Sequence, residues 1–286
     1  MSWPKIAEYF NELSTACDDA DPIGQKWSAF QSVVAEAATT TPYHLKTLLR
    51  LLNDLSQEKP KEEIAILDHG CGGGLTLLFL AASGYRNIYG VDVNGAAVRW
   101  NYLAKSELKL EGQRFWGYNG ETLPFSADSF DIIFSQQVLE HVSPQLLVPY
   151  YREEYRVLRQ DGIAYHQVPH RLVPFESHSR TWFLDYLPHS LFIAALSLMN
   201  RATKTERTQL FLRWPWAHRR QMKGLFGNVS DITLERLMQP VNEAYYDGPV
   251  RLRRLITAVL KLPVIGSAAS VVLRNLVQID TVSVKR

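Results

Sequence analysis

From residue 64 onward, short apolar runs alternate with stretches in which apolar residues recur every three or four positions. The runs Ile64–Asp68 (IAILD), Ile88–Asp92 (IYGVD), Arg114–Tyr118, Asp131–Ser135 (DIIFS) and Gly162–Val168 (GIAYHQV) have strand length. Bounded as they are by turn residues, they predict buried strands. Leu75–Ser83, Ala96–Ser106 and Pro144–Leu158 have the helical period. Strands that alternate with helices pair in parallel through right-handed crossovers, which predicts an α/β fold: a doubly wound, mostly parallel sheet covered on both faces.

The flanks read differently. Residues 3–56 are helical in pattern, with Leu45, Leu48, Leu49, Leu52 and Leu55 at helical spacing, until the polar stretch Ser56–Glu63 with Pro60 breaks the period. This predicts an N-terminal helical cap over residues 1–56 and a main domain over 57–286. Residues 169–215, rich in Pro, His and aromatics, and 234–275, helical in pattern, read as insertions on the acceptor side of that domain. Between them Ala217–Phe226 predicts a helix and Asn228–Thr233 a strand. Asn275–Lys285 (NLVQIDTVSVK) alternates and predicts a closing edge strand.

Composition narrows the partners more than the fold. With 46% hydrophobic and 21% charged residues, the chain builds an ordinary core. The net charge of +2 and the lack of a long basic run argue against nucleic acid as a partner. Two cysteines, Cys17 and Cys71, make no disulfide framework, and the opening MSWPKIAEYFNELS has no basic stretch followed by an apolar run. A reduced, cytoplasmic setting without a secretory leader is therefore expected. No apolar stretch is long enough to span a bilayer.

The chemistry concentrates in Asp68-His69-Gly70-Cys71-Gly72-Gly73-Gly74, between a strand and a helix. Glycines there permit a tight turn and close approach of backbone to ligand, and the next helix offers free N–H groups to an anionic group such as an amino-acid carboxylate. Asp92 ends the following strand, about twenty residues on, where a carboxylate accepts from ribose hydroxyls. Loop and acid together point to a nucleoside-containing ligand. A dinucleotide is the rival, but its fingerprint wants glycine where this chain has Leu75. A plain strand-to-helix turn would use the same glycines.

ILDHGCGGG, then VDVN, then GETLPFSADSFDIIFSQQVLEHV resembles, in order and spacing, the class I S-adenosylmethionine-dependent methyltransferases, in particular the bacterial group that includes quinone-biosynthesis enzymes. The resemblance covers residues 64–170. It implies a Rossmann-like, seven-stranded sheet of the methyltransferase type and S-adenosylmethionine as cofactor. It further implies that Asp68, Gly70, Cys71 and Gly72 surround the methionine part, Asp92 holds the ribose, and Val93 lies beside the adenine. Asn119 and Gly120 would sit at the adenine edge, with Ser135 and Gln136 approaching the methionine or sulfonium. Two positions depart from the family pattern: Asn119 stands where Asp is common, its amide oxygen still able to accept from the adenine amino group, and His69 replaces a small apolar residue. Glu140-His141, within LEHV, is read as helix-start packing or as a catalytic pair.

Methyl transfer from a sulfonium needs alignment and water exclusion above all, and a base only if the acceptor loses a proton. Candidate catalytic bases follow the fifth strand in HQVPHRLVPFESHSR: His170, Glu176 and His178. The same residues would serve equally as caps of a structured loop. No metal site is expected, although His166, His170 and His178 come close in sequence. Trp182, Phe183, Tyr186, Phe192, Trp214 and Trp216 favour an apolar or ring-containing acceptor, small or lipid-like. The histidine-rich loop and the family resemblance put O-methylation ahead of carbon or nitrogen. Residues 251–262 place Leu252, Leu255, Ile256, Val259 and Leu260 on one helical face flanked by Arg251, Arg253, Arg254 and Lys261, and the stretch stays apolar to residue 273. That face either contacts an anionic membrane on the cytoplasmic side or packs on the core. Two other functions remain compatible with these residues: a dinucleotide-dependent oxidoreductase, and a non-catalytic nucleoside-binding module.

Overall fold

Each of the five apolar runs is a strand in the computed structural model, which describes residues 23–37, 43–176, 179–201, 210–240 and 250–286. β1 (Ile66–His69), β2 (Ile88–Asp92), β3 (Phe115–Gly117), β4 (Phe130–Gln136) and β5 (Leu158–Val168) are parallel in the spatial order β3-β2-β1-β4-β5. A separate two-stranded hairpin pairs β6 (Phe175–Glu176) with β7 (Thr181–Trp182). Beyond β5 the main sheet continues antiparallel through β9 (Ile279–Val284) to β8 (Ser230–Asp231), seven strands in all.

The last strand is therefore not the edge that its alternation predicts. β8 holds the edge with two residues, and β9 lies inside. The polar positions of β9 are buried because partners meet them. Asp280, fully buried, receives Tyr165 Oη at 2.8 Å and an Arg236 Nε ion pair; Thr281 Oγ1 lies 2.8 Å from His218 Nε2. Alternation that looks one-sided in sequence is here a strand with two occupied faces.

Ten α-helices are described: α1 (Ile23–Ala37), α2 (Lys46–Leu55), α3 (Leu75–Ala82), α4 (Asn101–Ser106), α5 (Leu147–Val157), α6 (His189–Leu198), α7 (Pro215–Phe226), α8 (Thr233–Met238), α9 (Val250–Leu260) and α10 (Pro263–Leu273). The helix expected over 96–106 is split, its first half a 3-10 turn at Ala96–Trp100. Successive strand residues point to opposite faces. Ile66, Ile132, Phe134 and Tyr165 join Trp27, Phe30, Leu48, Leu52, Leu77 and Phe79 in one apolar cluster. Leu67, Ile133 and Ala164 join Tyr150, Tyr151, Met222 and Phe226 in the other.

The N-terminal helical region is thus no detached cap where it is described: α1 and α2 form one wall of the first core. The helices expected over 3–22 and 38–42 lie outside the described residues. α9 also differs from its sequence pattern. Arg253 turns inward, donating from Nη1 to Tyr43 Oη at 3.0 Å with its guanidinium 4.5 Å from that ring, whereas Leu252 and Leu255 face out at 47% and 62% exposure. A buried arginine with an aromatic face and a hydroxyl beside it anchors this helix in place of an apolar stripe.

Leu52→Ala is expected to cost about 2–5 kcal/mol, the range for truncating a fully buried leucine. Denaturant unfolding should keep a single transition with a lower midpoint. A separate early transition confined to the N-terminal helices would contradict their place in the main core.

Candidate active site

The glycine loop and the acid of β2 are joined at the carboxyl ends of β1 and β2. Gly70 N and Cys71 N donate to Val91 O at 2.8 and 2.9 Å, Gly72 N donates to Asp92 Oδ2 at 2.8 Å, and Asn94 N donates to Asp92 Oδ1 at 2.9 Å. Gly70 has φ +93° and a Cβ there would lie 2.5 Å from Val138 side-chain carbons, so both backbone and packing exclude a larger residue. Gly72, at φ +52°, has nothing within 4 Å of where a Cβ would stand, so its outer face is open to a ligand.

Asp68, at the end of β1, is 5% exposed, its carboxyl held well above the usual range by burial first and by the negative charge of Asp92 second. Val93, 67% exposed, projects beside the cleft; a Cβ on Gly120 would sit 3.5 Å from it. Cys71 is different from its expected role. Its thiol faces inward against Gly90 and Leu77 in the first core, burial pushes it up, and only its backbone borders the loop. Asn119 Oδ1 accepts from Glu121 N and Thr122 N at 3.0 and 3.1 Å, so that oxygen shapes the turn. Gln136 Nε2 donates to His44 O at 3.0 Å, tying β4 to the segment before α2.

Beneath the cleft lies a polar network that the strand and helix patterns do not announce. Glu154 of α5, fully buried, contacts His69 Nδ1 at 2.9 Å and His166 Nε2 at 2.8 Å with its two oxygens. His69 Nε2 lies 2.7 Å from Tyr118 Oη, and its ring stacks on Tyr150 at 3.8 Å between centroids. Tyr150 Oη donates to His69 O at 3.1 Å, which leaves Ser135 Oγ, 2.7 Å away, to donate to Tyr150. Burial opposes the charge on Glu154, but the two imidazoles outweigh it and bring its pKa down to about 2. One carboxylate thereby connects the ends of β1 (His69), β3 (through Tyr118), β4 (through Tyr150 and Ser135) and β5 (His166).

Two of the three candidate bases are engaged otherwise. His170 is buried; Nε2 donates to Val277 O at 2.8 Å and Nδ1 accepts from Leu172 N at 3.2 Å, so no ring nitrogen is left to take a proton, and burial lowers its pKa to about 4. Glu176 Oε2 accepts from Ser179 N and Ser179 Oγ, both at 2.6 Å, closing the β6–β7 turn. Both are loop caps. His178 lies outside the described residues. His166, the third residue of the weighed metal set, faces Glu154 inside the molecule.

The family model described as "Methyltransferase domain" matches residues 67–166. The chain is 34% identical over 89 residues to a ubiquinone biosynthesis O-methyltransferase of Maricaulis maris, covering 31% of this chain and 35% of that protein. It is 38% identical over 103 residues to the uncharacterized methyltransferase YcgJ of Bacillus subtilis, 36% of this chain and 39% of that one. It spans little more than a third of the length of these curated relatives. Among solved structures, YcgJ from Bacillus aligns with TM-score 0.45 at 21% identity, over 82% of this chain and 97% of that one. Geranyl diphosphate C-methyltransferase from Streptomyces coelicolor aligns with TM-score 0.44 at 13% identity, over 94% and 85%.

Glu154→Gln should lower stability by about 3 kcal/mol, the scale for removing one partner of a buried charged contact. The sign with pH follows from the depressed folded-state pKa: the stabilisation is present above about 4.5 and is lost as pH falls toward about 2. Acid unfolding followed by circular dichroism should therefore be shallower over that window in the variant. An unchanged acid limb would remove Glu154 as its source.

Proposed function

We propose, from the membership of residues 67–166 in the methyltransferase domain family, that the chain transfers a methyl group from S-adenosylmethionine to a small or lipid-like acceptor, oxygen being the favoured atom. The observation that carries this reading is the hydrogen bond from Gly72 N to Asp92 Oδ2 at an open glycine turn, with the buried Asp68 carboxyl close enough to interact with Asp92. Like charges held together at low dielectric favour a cationic guest, and a sulfonium with an ammonium group is one. A dinucleotide brings a pyrophosphate to the same place, and the two carboxylates oppose it.

The residues present fit the donor. Asp92 would receive the ribose hydroxyls on the lone pairs that Gly72 N and Asn94 N leave open, Val93 and Gly120 would flank the adenine, and Gly72 would admit the methionine part. When bound, the sulfonium supplies a methyl group that is already activated. What the chain supplies is orientation and the exclusion of water. His170 and Glu176 hold their loops, so neither is assigned as a base. The preference for oxygen is supported by the Maricaulis relative, an O-methyltransferase by name, which matches over about a third of its length.

A second feature supports an acceptor drawn from, or delivered to, a membrane surface. Among the described residues no helix is long and apolar enough to cross a membrane. Yet at the α9–α10 hairpin Leu255, Leu262, Val264, Ile265, Val271 and Val272 are 47–82% exposed, with Arg251, Arg254, Lys261 and Arg274 exposed among them. Apolar side chains rimmed by cations suit an anionic bilayer on the cytoplasmic side.

Titration calorimetry should show binding of S-adenosylmethionine and S-adenosylhomocysteine and none of NAD. Asp92→Ala should weaken both by about tenfold or more, as loss of hydrogen bonds to a charged group does. Because Asp68 is protonated more readily than an ordinary carboxyl, affinity for the cationic donor should rise as pH climbs through its raised pKa, with proton release, and Asp68→Asn should flatten that rise. NAD binding without donor binding would overturn the reading.

For the membrane surface, the native chain should float with phosphatidylglycerol vesicles at low salt and Leu255→Glu/Ile265→Glu should not. Failure of the native chain to float would end that part of the proposal.

A further inference from the structure

A cavity of about 310 Å³ lies between the insertion after β5 and the loop after β4. From the loop after β4, Pro144 contributes to its wall. Phe211 N donates to Glu140 O at 2.6 Å, and Arg213 donates to Leu139 O and Val142 O, which latches residues 210–213 onto that loop. Leu187, Phe192, Leu210, Phe211 and Leu212 make most of the wall apolar. The volume is that of about ten waters, enough for one ring with a short substituent.

The polar groups in this wall are unequal. Arg171 Nε donates to Asp185 O at 3.0 Å, its Nη2 donates to Leu187 O, and its guanidinium lies 5.4 Å from the Trp214 ring; Arg213 is committed to the two carbonyls named above. Both guanidiniums pin the walls. Asp185 is the exception. It is 6% exposed, and its Oδ1 is sealed from solvent without a hydrogen-bond partner. A carboxylate oxygen so placed is costly unless a donor reaches it.

We propose that this cavity is the acceptor pocket and that Asp185 selects an acceptor with a small apolar body and a neutral hydroxyl, which donates to its carboxylate. Naming the ligand as the acceptor rests on the methyl-transfer reading; the ligand class itself rests on the cavity. Burial raises the Asp185 carboxyl to about 6, with the charge of Glu176 adding to the rise and its own backbone N–H and Arg171 opposing it. The guanidiniums would favour a carboxylate instead, so hydroxyl and anion are the two chemistries to separate.

The test uses the full chain with S-adenosylhomocysteine, titrated by ligand-observed NMR with three probes of one shape: para-ethylphenol, para-ethylanisole and para-ethylbenzoate. The phenol should bind about tenfold tighter than the anisole, the usual effect of a hydrogen bond to a charged group. That preference should grow as pH rises through about 6. Asp185→Leu should erase it while S-adenosylhomocysteine affinity, read by calorimetry, stays unchanged. If that variant does not fold, the isosteric Asp185→Asn should lose the pH dependence of the preference. Equal binding of phenol and anisole to the native chain, or tightest binding of the benzoate, would overturn the proposal. A native chain that prefers the phenol yet binds no S-adenosylhomocysteine would remove the acceptor assignment together with the methyl-transfer reading, and leave the hydroxyl-binding pocket standing.

Discussion

One buried carboxylate fixes the geometry on which the cleft depends. Glu154 has no water to solvate it, so its charge persists only because imidazoles occupy both oxygens. That requirement places His69 and His166, on strands separated by β4, at fixed distances from α5. His69 precedes Gly70 directly, and its second nitrogen meets the residue before Asn119, so the loop after β1 and the loop after β3 are referenced to the same point. A small apolar residue at position 69 would pack there but would hold neither loop. The polar His69 at the end of β1 is thus matched inside this chain by Glu154, Tyr118 and His166, and the four act as one unit.

The same economy appears at the far side of the sheet. Tyr151 Oη and Thr281 Oγ1 lie 2.6 and 2.8 Å from the two nitrogens of His218, which burial holds well below its ordinary pKa and therefore neutral. A neutral imidazole donates once and accepts once, which suits a hydroxyl on each side. Beyond it, Asp280 joins Arg236 and Tyr165. The antiparallel strands are thus attached to the parallel core by side chains as well as by the ladder, and this explains why β9 tolerates buried Asp and Thr.

What the sequence made legible follows from how locally each feature is determined. The parallel strands and the glycine turn were readable because period and positive-φ residues act over a few positions, and the structure brings the two motifs together through the hydrogen bond from Gly72 N to Asp92 Oδ2. The rank of β9 in the sheet was not readable, since order depends on which edge a chain end reaches, and β8 is only two residues long. His170 and Glu176 looked like bases because polar residues in a loop after a strand invite that reading. The structure uses them to satisfy backbone N–H and C=O groups that a long irregular loop would otherwise leave unmet. Glu154 was missed although a signal existed. Tyr150, Tyr151, Glu154 and Val157 share the buried stripe of α5, and a carboxylate on an apolar stripe demands buried partners, but which partners is a matter of tertiary contact across dozens of residues.

The near-zero net charge of the chain conceals a sorted interior. Beside the glycine turn the interacting groups are acids, Asp68 and Asp92; around the cavity in the insertion after β5 the arginines outnumber the one acid, Asp185. Separate small regions of the chain thus carry fields of opposite sign. Averaged over the molecule those fields cancel. Composition therefore says little about small ligands, whose recognition is settled within one Debye length of a few residues.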